Sequence, residues 1–275
     1  TTSLNNVNVG YSRTMNVLSF AWSCTGKYVA VGAQPMVGEC DSLYIYSYDS
    51  TELELTSVTS TFCGASWESL YDGGGIVDVS WNSPTHPSRS TSTMYLAVVG
   101  DCVHSSTGVI VFEFDSSELI EKVTVDFGNN SVGAVSWKPQ TDYIVVGGNN
   151  ISSTSDVVIY EFTGSSLSPT YVRNLSTSDV VRALDWSPSK TYIAVRSGNN
   201  LFVLNSDLTK IDGESDVSAS CGAQINSLKW SSDGNYIIVG CNGSAGNGVQ
   251  VYSFDGADKT LTNIDSINYG TDDVH

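Results

Sequence analysis

Ile225-Asn-Ser-Leu-Lys-Trp-Ser-Ser-Asp-Gly-Asn-Tyr-Ile-Ile-Val-Gly240 joins a short run ending in tryptophan, a polar turn and an apolar run opening on tyrosine. The same phrase occurs four more times. It reads Val17 to Trp22 with Tyr28 to Gly32, and Ile76 to Trp81 with Tyr95 to Gly100. It returns as Val132 to Trp137 with Tyr143 to Gly147, and as Val181 to Trp186 with Tyr192 to Val195. Tyrosine follows tryptophan by six residues in four copies and by fourteen in the second. Successive tryptophans are 59, 56, 49 and 44 residues apart, so each unit holds several short elements. A fixed internal period of this length marks a repeat architecture.

After each tyrosine run comes a Gly/Asn/Ser-rich loop and then a third strand: Leu43 to Tyr48, Val109 to Phe114, Val157 to Phe162, Leu201 to Leu204 and Val249 to Phe254. The alternation in Val109-Ile-Val-Phe-Glu-Phe114 has a period of two, which is strand and not helix. A more polar fourth strand follows at Leu53 to Val58, Leu119 to Val125, Tyr171 to Leu175, Leu208 to Ile211 and Leu261 to Ile267. Its polarity suits a solvent-facing edge. Four antiparallel strands repeated radially predict an all-β chain, a β-propeller with five blades. The blade cores span approximately 17–58, 76–125, 132–175, 181–211 and 225–267. The recurring Trp22, Trp81, Trp137, Trp186 and Trp230 are expected to pack blade against blade. Residues 1–16 read as an extra outer strand and 274–275 as the start of a further blade. Three readings stand: a segment of a larger six- to eight-bladed propeller, a closed five-blade ring, or a spare strand exchanged with a second copy.

The turn-bearing phrases Trp230-Ser-Ser-Asp-Gly-Asn-Tyr236, Trp186-Ser-Pro-Ser-Lys-Thr-Tyr192 and Trp22-Ser-Cys-Thr-Gly-Lys-Tyr28 resemble blades of the WD-repeat family. Two hallmarks are missing. No copy has a Gly-His pair before its first strand, and none ends its third strand in Trp-Asp. The resemblance implies a protein-interaction scaffold. It also implies that the loop leading into a blade lies beside the loop joining that blade's second and third strands. On that basis Cys63 is expected to bridge Cys102, and Cys221 to bridge Cys241, with Cys40–Cys63 the main competitor and Cys24 free or differently paired. Six cysteines suit an oxidising compartment.

Twelve basic residues against 29 acidic ones give a net charge of −17. No basic patch exists to neutralise phosphates, so nucleic acid is excluded as a partner. No apolar stretch is long enough to span a bilayer. Asn129, Asn150, Asn174 and Asn242 each begin an Asn-X-Ser sequon and are candidate glycan sites. With the cysteines they point to an extracellular or cell-surface protein, the alternative being cytoplasmic. Trp67 and Tyr71 lie outside the repeat register, in the connection from Ser60 to Gly75, and are candidate contact residues.

The residues supply little chemistry. His86, His104 and His275 have no metal-ligand spacing. Asp78, Asp185, Glu113 and Glu161 recur on strands, and edge solvation is the expectation for them. The Gly/Asn loops 147–150, 198–200 and 242–248 read as turns, with calcium binding the alternative. No cofactor is called for, and the expectation is that the chain is not an enzyme. The function expected is a secreted or surface-exposed interaction or structural module, a subunit of an extracellular assembly or filament with protein partners or second copies of itself. The alternatives are a carbohydrate-binding, lectin-like propeller and an intracellular WD-repeat scaffold.

Overall fold

The computed structural model describes residues 16–34, 42–61, 75–82, 93–103, 106–152, 154–176, 179–211, 217–220, 224–241 and 248–267. These form twenty strands in five four-stranded sheets, each ordered as in the chain and antiparallel throughout. Blade 1 is β1 (Asn16–Trp22), β2 (Tyr28–Gln34), β3 (Leu43–Asp49) and β4 (Glu54–Thr61). Blade 2 is β5 (Ile76–Trp81), β6 (Met94–Val103), β7 (Ser106–Phe114) and β8 (Leu119–Gly128). Blade 3 is β9 (Val132–Trp137), β10 (Tyr143–Ser152), β11 (Ser155–Phe162) and β12 (Leu167–Arg173). Blade 4 is β13 (Val181–Trp186), β14 (Tyr192–Ser197), β15 (Asn200–Asn205) and β16 (Val217–Ser220). Blade 5 is β17 (Ile225–Trp230), β18 (Tyr236–Cys241), β19 (Val249–Asp255) and β20 (Thr260–Ile267). The fold is a β-propeller of five blades.

One difference from the sequence reading concerns blade 4. Leu208 to Ile211 is not its fourth strand; that strand is β16. Asp207 accepts hydrogen bonds from the Thr209 backbone N–H and hydroxyl. The tight turn that results drops Leu208 and Ile211 into the core instead of along an edge. The apolar residues there are real, but they belong to a loop.

Each inner strand carries a β-bulge at the same place. Pairing with the second strand skips Leu18, Val77, Gly133, Arg182 and Asn226. A bulge increases the local twist, and its repetition gives all five inner strands the same bend. The core is not one mass but a series of layers between blades. Blades 1 and 2 enclose Leu43, Ile45, Ile76, Trp81 and Phe112. Blades 2 and 3 enclose Val99, Val111, Trp137 and Ile144. Blades 3 and 4 enclose Val145, Ile159, Trp186 and Ile193. Blades 4 and 5 enclose Ala194, Leu201, Trp230 and Ile237.

The blades come closest at the glycines ending the tyrosine runs. A Cβ on Gly147 would lie 2.3 Å from Val181 Cγ1 and 2.9 Å from Leu184 Cδ2, both in blade 4. Gly32 stands in the same relation to Ile76, at 2.6 Å. Glycine is used here for close approach, not for its backbone freedom. Gly147→Ala should therefore destabilise the protein by about 1–3 kcal/mol, the usual range for overpacking. Urea unfolding is the check, with a lowered midpoint and an unchanged slope expected.

Candidate functional site

Two kinds of contact hold each blade to the next. The first is aromatic. Tyr28 of blade 1 meets Phe114 of blade 2 edge-on at 5.0 Å between ring centroids, and Phe114 meets Trp81 of its own blade at 5.6 Å. Tyr95, Phe162 and Trp137 repeat this between blades 2 and 3, at 5.0 and 5.6 Å. Tyr192, Phe254 and Trp230 repeat it between blades 4 and 5, at 4.9 and 5.5 Å. Edge-to-face pairs add to simple burial. Blade 4 has Ser206 where the others have a ring, and there Lys138 substitutes. Its ammonium lies 4.8 Å from the Trp186 ring centre and 6.0 Å from that of Tyr143. Burial lowers its pKa, with Lys190 adding to the effect.

The second contact is polar and lies on the inner strands. The side chain three residues before a tryptophan, or the one just before it, accepts a backbone N–H from the following blade. Ser19 Oγ accepts from Val79 N at 3.3 Å, and Asp78 Oδ2 from Val135 N at 2.9 Å. Ser80 Oγ accepts from Trp137 N at 3.1 Å, and Asp185 Oδ2 from Trp230 N at 2.9 Å. Asp78 also accepts from the Ser19 hydroxyl at 2.8 Å, so it joins blades 1, 2 and 3. The expectation of solvated strand edges is corrected for both aspartates. Asp185 is buried, and Lys229 of blade 5 reaches it at 2.7 Å. Burial raises the Asp185 pKa, opposed by Lys229. Burial pushes Asp78 up to about 6 against its hydrogen bonds from Val135, Ser19 and Val79. Glu113 is paired with Lys122 at 2.9 Å. The signal for these residues was present in the aligned copies, where Ser or Asp recurs at the two positions.

Arg196 occupies the register position that Gly32 and Gly147 hold in blades 1 and 3. It is wholly buried, and burial lowers its pKa to about 10. The sequence reading ended the tyrosine run one residue short of it.

The five tryptophans are not equivalent in exposure. Trp81, Trp137, Trp186 and Trp230 are buried, as blade packing requires, whereas Trp22 is 49% exposed. Trp81 donates its indole N–H to the Ala21 carbonyl of the preceding blade, and Trp186 likewise to Ser136. Trp22 instead meets Tyr48 of its own blade, edge-on at 5.2 Å. Phe20 beside it is 68% exposed. The other end of the series mirrors this. Two residues beyond the repeat tyrosine, Ala30, Ala97, Val145 and Ala194 have no exposed surface, whereas Ile238 of blade 5 is 47% exposed. Tyr236 is exposed as well. Among the described residues no core layer joins blade 5 to blade 1. The two outward faces of the series are the candidate interaction sites. A recess of about 660 Å³ lined by Lys27, Tyr28, Tyr48 and Asp49 adjoins the first.

Of the cysteines, Cys24 is free and exposed, and Cys241 is disulfide-bonded. Cys40, Cys63 and Cys221, the Cys102 side chain, Trp67, Tyr71, Asn242 and the three histidines lie outside the described residues, as do residues 1–15 and 268–275. Asn129, Asn150 and Asn174 are exposed. The Asn174 amide donates to the Thr154 carbonyl. The four buried indoles leave no stacking surface for a sugar among them.

Residues 215–253, which contain blade 5's Trp230-to-Tyr236 phrase, match the family model of the WD domain, G-beta repeat. The chain is a five-bladed propeller that carries a WD-type repeat in its fifth blade. No curated protein sequence matches it. Among solved structures it resembles a chain from the mitotic checkpoint complex (18% identity, TM-score 0.65, 96% of this chain and 68% of that one). It also resembles the periplasmic gluconolactonase of Pseudomonas aeruginosa (13%, 0.67, 93% and 71%). A Bacteroides uniformis protein described as a candidate 6-phosphogluconolactonase matches similarly (12%, 0.70, 94% and 74%). At these identities the likeness is one of fold. The last two correct the expectation that the chain is not an enzyme: the fold is shared with proteins described as lactonases, so the fold does not exclude catalysis.

Two predictions follow from the contacts between blades. Phe162→Ala, which removes the ring between Tyr95 and Trp137, should cost about 3–5 kcal/mol. Phe20→Ala on the outward face of blade 1 should stay within about 0.5 kcal/mol, and thermal unfolding of the pair compares them. The Asp78 carboxyl favours the proton more in the folded protein than in the unfolded chain. Its contribution is fully present below about pH 4 and is lost as pH rises through about 6. Asp78→Asn lacks this titration. The stability of wild type relative to Asp78→Asn should fall by about 2 kcal/mol between pH 4 and 7, measured by urea unfolding at each pH.

Proposed function

We propose that this WD-repeat propeller is a protein-interaction and structural module of a secreted or surface-exposed assembly. The disulfide at Cys241, where β18 ends, carries the reading of compartment, because structural disulfides persist where the surroundings are oxidising. The acidic composition, net −17, favours solubility and cationic partners. The scaffold role follows from the repeat. Its buried side chains are occupied in holding blade to blade, while loops and outward faces are left to meet partners. The Cys221–Cys241 bridge and glycan on Asn129 belong to this proposal. Asn129 is the better acceptor, exposed next to a turn, whereas the Asn174 amide is tied to Thr154.

Peptide mapping of the native protein without reduction tests the proposal. A linked peptide pair containing Cys221 and Cys241, an alkylated Cys24, and glycan occupancy higher at Asn129 than at Asn174 are expected. Recovery of all six cysteines as free thiols would overturn the extracellular reading. Chemical crosslinking in the native setting should capture protein partners, preferentially basic ones.

A further inference from the structure

A recess of about 660 Å³ stands beside the one repeat tryptophan that is not buried. It lies between the β1–β2 turn and the β3–β4 turn of blade 1, and Thr25, Lys27, Tyr28, Tyr48, Asp49 and Thr56 are among the residues that line it. Small-molecule sites have volumes of this order and combine an apolar surface with a few placed polar groups. The apolar surface here is aromatic. Tyr48 is in the wall, and Trp22, 49% exposed, stands edge-on to it at 5.2 Å. The backbone N–H of Tyr48 donates to the carbonyl before the repeat tyrosine, as those of Phe162 and Phe254 do in blades 3 and 5. Those two rings are buried phenylalanines, and so is Phe114 of blade 2. Tyr48 alone among them carries a hydroxyl, and it alone is not buried. A phenol suits a surface that is apolar at one end and wet at the other.

The polar groups are one acid and one base. Asp49 Oδ1 accepts the backbone N–H groups of Thr51 at 2.7 Å and Glu52 at 3.2 Å. This fixes the carboxylate and leaves Oδ2 for a ligand. The same bonds, that from Thr51 foremost, hold its pKa below the usual carboxylate range, so Asp49 remains an acceptor at neutral pH. Lys27 lines the same recess and has no ion-pair partner among the described residues. Its charge offsets that of Asp49.

We propose that this recess binds a neutral hexopyranose, with Tyr48 and Trp22 meeting the C–H face of the sugar and Asp49 and Lys27 its hydroxyls. A pyranose has a face of C–H groups and a rim of hydroxyls, and each hydroxyl both donates and accepts. Aromatic rings with a fixed carboxylate and an ammonium nearby match both parts. An acidic sugar or a phosphate would meet the Asp49 carboxylate and the field of a chain of net charge −17. A basic side chain would meet Lys27. Trp22 is the indole that the four buried ones leave available for stacking. The site goes beyond the scaffold reading and stands whether or not the chain is secreted.

The test is saturation-transfer NMR on the 275-residue chain, with the methyl glycosides of glucose, galactose, mannose and N-acetylglucosamine as probes. At least one should receive saturation at its C–H protons, with a dissociation constant on the order of 1 mM. The bound glycoside should also shield Trp22 from quenching by acrylamide. Asp49→Asn keeps an oxygen to cap the turn and removes the charge. It should weaken binding about tenfold while its thermal unfolding stays that of wild type. Transfer to none of the probes at concentrations well above that dissociation constant overturns the proposal. So does a glycoside whose binding Asp49→Asn leaves unchanged, or one that binds while Trp22 stays equally open to acrylamide, because the sugar then sits elsewhere.

Discussion

A four-stranded sheet has two faces, and one blade of this size cannot cover both. Everything in this fold follows from neighbours covering each other. Each buried Ile, Val or Phe between blades contributes on the order of 1.5–3 kcal/mol relative to exposure, and four core layers are built this way. The edge-on aromatic contacts at the ends of the third strands give those layers a fixed register. Where Ser206 breaks the aromatic series, the ammonium of Lys138 takes the place of the missing ring. The interface tolerates a change of chemistry so long as something with a positive edge sits over the indole. Close approach at Gly32 and Gly147 shows how little slack the packing leaves.

The inner strands meet a second constraint. Several of their N–H groups face the preceding blade, which is not hydrogen-bonded to them as a sheet neighbour. Buried donors without partners are costly, and serine or aspartate from the preceding blade satisfies several of them. Asp78 serves two blades at once, with one oxygen for Ser19 and the other for Val135. Placing carboxylates there costs desolvation, which is why the pKa values of both Asp78 and Asp185 rise in spite of their donors. Lys229 lowers both, so its charge is felt by blades 2 and 4 alike. These acidic groups serve assembly, and their titration makes cohesion between blades depend on pH.

Fold and function part company at this point. A chain of the mitotic checkpoint complex and a gluconolactonase superpose on this chain comparably well. The blade stack is therefore a frame, and activity resides in what is mounted on it. In this protein the conspicuous surface features are the two apolar end faces and the acidic exterior. Both are features of association, and they are the reason the proposed function rests on partners.

The sequence by itself determined the blade and its repetition. The Trp-to-Tyr phrase, the period-two third strands and the polar fourth strands place nineteen of the twenty strands within a few residues, because each is set by neighbours a turn away in the chain. The exception, β16, was masked by the apolar Leu208 and Ile211, whose turn is decided by Asp207. Tertiary structure alone decided how the copies differ. Trp22 and Trp81 read identically in their repeats, yet one is half exposed and the other buried. Asp78 looked like an edge residue because its partners, Ser19 and Val135, stand 59 and 57 positions away. A repeat pattern states what a blade needs on either side of it; only the packed arrangement shows whether a neighbour is there to supply it.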